Sequence, residues 1–191
     1  ASQTIHTPTV PVTAARVLEP LNGAELFLKL ELLQHTGTFK ARGALSVVSR
    51  LTEAQKAVGI TAVSAGNHAI AASWAARKAG VSAKVVMIKA ANPLRVAKAN
   101  AEGAEVVLTE DIAAAFAEVD RLVEEEGRTF VHPFEGPATT LGTACVGLEL
   151  MDDVPNLEAV IVSIGGGGLM SGIATAIKAI NPNCKVYGVE P

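Results

Sequence analysis

Three short stretches of this sequence carry residue types whose spacing suits chemistry. In Gly37-Thr38-Phe39-Lys40-Ala41-Arg42-Gly43-Ala44 a lysine follows a phenylalanine where a loop opens a helix. Near unpaired helix-opening N–H groups and against an aromatic ring, the Lys40 amine would bind its proton less tightly and become a usable nucleophile. A surface lysine at a helix start also accounts for this stretch taken alone. Ser64-Ala65-Gly66-Asn67-His68-Ala69 lies between a strand-like and a helix-like segment. Small side chains and a polar pair there suit a carboxylate or a hydroxylated ring. Plain N-capping by Ser64 or Asn67 is the alternative. His68 reads as a general base, a capping residue or a substrate contact, and nothing in the sequence tunes it.

The third stretch is the run Gly165-Gly166-Gly167-Gly168, between the apolar Ala159–Ile164 and the helix-like Leu169–Ala174. A strand that ends in side-chain-free backbone and opens a helix leaves several N–H groups pointing one way. Backed by the helix dipole, such a cup binds a phosphate or carboxylate. A loose loop is the plainer reading. The run does not meet the dinucleotide fingerprint, since Met170 or Ser171 stands where the last glycine belongs. Glu190 does close the next strand about 20 residues on, where a ribose-binding acid would sit, so an NAD-binding oxidoreductase stays open on spacing.

Helices and strands must hold these stretches in place. From Ile60 onward strands and helices alternate: strands at Ile60–Val63, Lys84–Ile88, Glu105–Leu108, Thr129–Val131 and Lys185–Val189, with helices at Asn67–Lys78, Pro93–Ala101 and Thr140–Met151. Another helix starts at Asp111, with Ile112, Phe116, Val119 and Val123 expected on its buried face and Gly127 ending it. Earlier in the chain, Leu26–Leu30 reads as a strand and Phe39–Leu51 as a helix. This rhythm, with uncharged β-branched strands, predicts an α/β fold of parallel sheets covered by helices on both faces. His132–Pro137, with two prolines and a glycine, suits a loop or a crossing between lobes.

The 191 residues, 49% hydrophobic and 18% charged, describe an ordinary globular chain of one domain or two small ones. A net charge of -3 and the lack of any basic cluster argue against nucleic acid. Cys145 and Cys184 form no metal-binding pattern and read as buried thiols of a reduced, cytoplasmic compartment. The N-terminus carries no signal-peptide core. Ala159–Ile177 is uncharged and long enough to mimic a membrane span, but glycines at its centre make a buried strand, loop and helix the better reading.

Taken together, Thr38–Ala44, Ser64–Ala69 and Gly165–Leu169 resemble, in order and spacing, the fold-type II pyridoxal-phosphate enzymes, nearest the threonine/serine dehydratases. Leu28–Glu31, Gly103–Val107, His132–Phe134 and Gly188–Pro191 extend the resemblance over nearly the whole chain. It implies a two-lobed, tryptophan synthase β-like α/β fold, with residues 1–49 and 140–191 in a large cofactor lobe and 50–139 in a small one. The cofactor would be pyridoxal 5'-phosphate. Lys40 would carry it as a Schiff base and remove the substrate α-proton, with Phe39 packed near the ring and Asn67 bonded to its hydroxyl. Gly165, Gly166, Gly167, Gly168 and Leu169 would hold the phosphate, and Ser64, Gly66, Asn67 and His68 the substrate carboxylate.

The implied reaction is β-elimination of serine or threonine to a 2-oxo acid and ammonia, in a soluble homo-oligomer with an amino acid as its small-molecule partner. Serine racemase and hydroxyaspartate dehydratase are the neighbouring activities. Ala65 stands where racemising relatives have a serine, and His68 where sulfide-using cysteine synthases have a threonine. Gly142-Thr143-Ala144-Cys145 departs from a polar stretch of many dehydratases. Members of that group are much longer, and the partner of the cofactor's pyridine nitrogen and a metal site would fall beyond Pro191. A fragment, or loss of the chemistry, is the corresponding alternative.

Overall fold

The computed structural model describes residues 4–13 and 23–190; Ala1–Gln3 and Pro191 of the segments discussed above lie outside them. Strands β1 (Thr9–Pro11) and β2 (Phe27–Lys29) pair antiparallel. Strands β3 (Ile60–Val63), β4 (Ala83–Ile88), β5 (Glu105–Thr109) and β6 (Thr129–Phe130) form a parallel sheet in the order β5-β4-β3-β6. Strands β7 (Ala159–Ser163) and β8 (Lys185–Val189) form a separate parallel pair. Parallel neighbours need a crossover, and helices supply it. The helices are α1 (Lys40–Val48), α2 (Glu53–Val58), α3 (Asn67–Ala79), α4 (Pro93–Ala101), α5 (Ile112–Glu124), α6 (Pro137–Asp153) and α7 (Gly168–Ile180).

The four-stranded sheet is covered on both sides, as its uncharged strands require. On one face Ala62, Val85 and Met87 meet Ala41, Ala44 and Val48 of α1 and Ala72, Ala75 and Ala76 of α3. On the other, Val86 packs under Ala115, Val119 and Leu122 of α5. A distinct apolar cluster joins α6, α7 and β7 through Val146, Leu150, Ile173, Ile177 and Val162. No helix among the described residues is long and apolar enough to cross a membrane.

Three expectations change. The buried stripe of α5 is Ala115, Val119 and Leu122, while Ile112 is 65% exposed, Phe116 45% and Val123 37%. Large side chains suggested the wrong face; the small Ala115 brings the helix close to the sheet. Helix α6 begins at Pro137, because proline fits the first helical position. Of the two cysteines only Cys184 is buried, and Cys145 is half-buried.

Helix α1 joins the two halves. Its backbone touches α6 at Gly142, where a Cβ would lie 2.3 Å from the Arg42 carbonyl oxygen. Arg42 is itself fully buried, 1% exposed. Its guanidinium donates to Glu31 at 2.8 and 2.7 Å and to Glu149 at 2.6 and 2.8 Å. Lys29 adds contacts to Glu149 and Asp153 at 2.9 and 3.0 Å. Burial opposes the charge on Arg42, yet the bonds from both carboxylates hold its pKa above the ordinary value. For Asp153 burial again opposes ionisation, and hydrogen bonds from Thr9, Lys29 and His6 outweigh it, bringing the carboxyl down to about 2.

Two outcomes follow from this cluster. Arg42→Met takes the counter-charge from half-buried Glu31 and leaves Glu149 with Lys29 alone, lowering stability by about 3 kcal/mol in urea unfolding; an unchanged midpoint would refute it. Because the folded pKa of Asp153 lies below its ordinary 3.8, its contribution is complete above that value and is lost as pH falls through about 2. In acid titration Asp153→Asn flattens that part of the stability profile.

Candidate active site

The approach to Lys40 is a strained turn. Short 3-10 turns at Glu31–Leu33 and His35–Gly37 precede it, and inside the second Thr36 sits at φ 63°, ψ 6°. Thr36 is the only non-glycine residue with positive φ among those described, and Gly37 follows at φ 75°. A β-branched residue there costs about 1–3 kcal/mol, and its buried hydroxyl has no hydrogen-bond partner. Neighbours hold the turn in place. The Gln34 side chain bonds both the N–H and the carbonyl of Ile5, and the His35 ring stacks on Trp74 of α3 at 4.8 Å.

Two consecutive left-handed residues therefore deliver Phe39 and Lys40 to the start of α1. The Lys40 amine donates to the Pro133 carbonyl at 2.5 Å and lies 5.2 Å from the Phe39 ring centre. Desolvation by burial lowers its pKa. The aromatic neighbour and the weakened base expected from the sequence are both present, with burial as the cause.

Gly66 precedes α3, and no side chain caps that helix. Ser64 Oγ instead accepts from the Gly66 N–H at 3.0 Å, so neither Ser64 nor Asn67 is an N-cap here. Asn67 is exposed at the helix start. The guanidinium of Arg95 lies against Gly66, 3.0 Å from where a Cβ would be. His68 is turned inward and is 4% exposed. Its Nε2 lies 2.7 Å from the Val131 carbonyl oxygen, an acceptor, so that nitrogen carries the proton. Desolvation foremost, with Lys40 and His132 adding to it, pushes its pKa down to about 4 against the favourable bond to Val131. A neutral, tied ring of that kind is a poor general base.

The four glycines divide into two pairs. A Cβ on Gly166 would fall 2.2 Å from the Phe134 ring, and one on Gly168 would fall 2.3 Å from the Phe134 carbonyl oxygen. Gly165 and Gly167 face open space, and Gly167 adopts φ 82°. Packing requires glycine at the first pair, and the second leaves backbone bare to a ligand. Helix α7 opens at Gly168 with no side-chain cap. Thr143 Oγ1 donates to the Gly168 carbonyl at 2.8 Å, which fixes the loop from α6.

A narrow cleft lies between these elements, lined by Phe39, Lys40, His68, Phe134, Gly168 and Leu169 among others. Ser64, Gly66, Asn67 and Gly165–Gly167 are not in its lining. Pro133, Phe134, Thr139 and Thr143 line it too and were given no site role from the sequence, although His132–Phe134 and Gly142–Cys145 had been singled out in the resemblance. Among the described residues no cluster of three or more His, Cys, Asp or Glu side chains could hold a metal.

A family model described as "Pyridoxal-phosphate dependent enzyme" matches residues 4–191. The phenylserine dehydratase of Ralstonia pickettii is 54% identical over 183 residues, covering 96% of this chain and 56% of its own length. The L-threonine ammonia-lyase of Thermotoga maritima is 43% identical over 175 residues, covering 91% and 44%. Among solved structures, maize serine racemase superposes with a TM-score of 0.93 at 34% identity, over 99% of this chain and 57% of that one. The chain spans about half the length of the curated relatives it matches.

The division of the glycines is open to direct measurement. Gly166→Ala forces the Phe134 ring aside and lowers stability by about 1–3 kcal/mol. Gly165→Ala, with space around it, stays within about 0.5 kcal/mol of the parent in thermal unfolding. Equal losses at both positions would refute the packing role of Phe134.

Proposed function

The chain belongs to the pyridoxal-phosphate-dependent enzymes, and from that premise we propose that the intact protein is a dehydratase of β-hydroxy amino acids, threonine or serine, releasing a 2-oxo acid and ammonia. The observation that carries this reading is the half-buried Lys40 amine with a lowered pKa, in a cleft that also reaches Gly168 and Leu169 of the glycine loop. These residues fit the cofactor. A desolvated amine can link to its aldehyde, and bare, uncapped N–H groups at the start of α7 suit its phosphate.

In this reading Lys40 holds the cofactor, Gly165–Gly168 and Leu169 take its phosphate through backbone N–H groups, Asn67 meets its ring hydroxyl, and Phe39 packs beside it. Ser64, Gly66, Asn67 and the backbone N–H of His68 surround the substrate carboxylate at the uncapped start of α3. When bound, the cofactor supplies the electron sink for the charge left at the α-carbon. The Lys40 amine accepts the α-proton at Nζ, and its burial keeps a share of it neutral for that task. Water leaves from the β-position and is taken up again as ammonia departs, so the reaction is a net deamination.

Residues 1–49 and 140–191 form one lobe and 50–139 the other in this proposal; the separate apolar cluster of α6, α7 and β7 supports the division, and α1, which packs on the four-stranded sheet as well, bridges it. Closing the cleft between them would exclude water. Ala65 offers no group to return a proton to the opposite face, which favours elimination over racemisation although a serine racemase is among the structural neighbours. The family match takes the place of the dinucleotide reading of Gly165–Gly168.

Loaded with pyridoxal phosphate, the intact protein should show a violet absorption band that shifts on adding serine or threonine, and borohydride should fix the cofactor to Lys40. Lys40→Ala should lose the band and keep the fold by circular dichroism. A band that survives in Lys40→Ala, or none in the parent protein, would overturn the assignment.

A further inference from the structure

One buried titratable side chain has no proton to move in the proposed reaction. His68, the second residue of α3, is inside the molecule and bonded to the Val131 carbonyl. Val131 is fully buried and opens the six-residue connector between β6 and α6. Val131, Pro133 and Phe134 each meet a residue that lines the cleft. The Val131 carbonyl accepts from His68 at 2.7 Å, and two residues on the Pro133 carbonyl accepts from the Lys40 amine at 2.5 Å. Between them, His132 Nδ1 accepts from the N–H groups of Phe134 and Glu135 at 3.3 and 2.9 Å and closes the turn. Phe134 then lies against Gly166 and Gly168.

We propose that His68 is a positioning residue: by donating from Nε2 to the Val131 carbonyl it fixes the connector against which both the Lys40 amine and the glycine loop are set. The catalytic part of this inference rests on the dehydratase reading; the positional part does not. The ring suits the task because it does not change charge near neutral pH. Burial, with the neighbouring Lys40 and His132, keeps it uncharged, so the donor to Val131 is constant. A proton-transferring histidine would need a free ring nitrogen at the cleft, and here Nε2 is engaged by Val131 in a residue only 4% exposed. Moving the connector moves the acceptor of the Lys40 amine and the wall behind Gly166 together.

The test compares His68→Leu, which removes the donor, with His68→Gln, whose amide nitrogen can occupy the place of Nε2. In the cofactor-free intact protein, NMR titration of ¹³C-dimethylated lysines, with Lys40→Arg to identify the signal, reads the ionisation of Lys40 directly. In His68→Leu the ammonium loses the bond accepted by the Pro133 carbonyl, so its pKa should fall further, by about one pH unit, and in His68→Gln it should stay near the parent's. In the cofactor-loaded protein, His68→Leu should lower kcat by about 100-fold, as expected for a misplaced reacting group. KM should change little, and His68→Gln should recover most of the loss.

An unchanged Lys40 titration in His68→Leu overturns the proposal, as does a raised KM with kcat intact, which would mark a substrate contact. Should His68→Leu fail to fold, His68→Asn, whose shorter amide stops short of Val131, carries the same comparison. A parent protein that binds no cofactor would remove the dehydratase reading and leave the titration to decide the positional role.

Discussion

The buried charge of Arg42 is the constraint on which the rest of this structure depends. A guanidinium with no water around it needs compensating carboxylates in good geometry, and here two provide them from opposite directions. Glu31 comes from the turn before α1 and Glu149 from α6. Arginine's planar fork can bond both carboxylates with two bonds each, which a lysine could not do. The backbone of α1 is thereby set against α6, two residues after Lys40. Gly142 completes the fit. It lies two helical turns from Glu149 on one face of α6, and its missing side chain lets the Arg42 carbonyl approach.

Small residues carry that closeness through the core. Gly147 of α6 meets the Ile173 carbonyl of α7, where a Cβ would be 2.8 Å away, and Gly172 meets Thr143, where it would be 2.2 Å away. Helices that approach this closely leave little freedom to the loop that opens α7. Thr143, pressed against Gly172, is also the residue whose hydroxyl holds the Gly168 carbonyl. A stretch that looked like a loss of polar groups in the sequence is thus a packing seam with one hydrogen bond into the glycine loop.

How much was legible follows from what each signal depends on. The alternation of strands and helices was readable from apolar, β-branched runs, and β3, β4, β5, β7 and β8 stand close to where the pattern put them. The expected cover on both faces holds for β3 and β4 and not for the β7–β8 pair, where Ile161 is 72% exposed. The glycine run was readable as a strand-to-helix turn, but not the division of labour within it, because that depends on Phe134, more than thirty residues earlier. The strain at Thr36 was invisible, since a threonine advertises no left-handed backbone. The buried face of α5 was misjudged because side-chain size marks hydrophobicity, whereas proximity to a sheet rewards small residues such as Ala115. The inward turn of His68 could not be foreseen, for its partner is a carbonyl sixty-three residues away.

These pieces meet at the Lys40 amine. Its reactivity requires two opposed conditions: enough burial to weaken its hold on the proton, and enough polar contact that the amine is not stranded in apolar surroundings. Burial comes from Phe39 and the cleft walls, and the polar contact from one carbonyl, that of Pro133. A backbone carbonyl accepts a hydrogen bond but carries no charge. A carboxylate in its place would favour the ammonium and return the lysine to its ordinary basicity. Glu31, Glu149 and Asp153 are engaged elsewhere, by Arg42 and Lys29. Arg42 and Lys40 share the first turn of α1, so the ion cluster that fixes this helix against α6 also fixes where the amine stands relative to its one neutral acceptor.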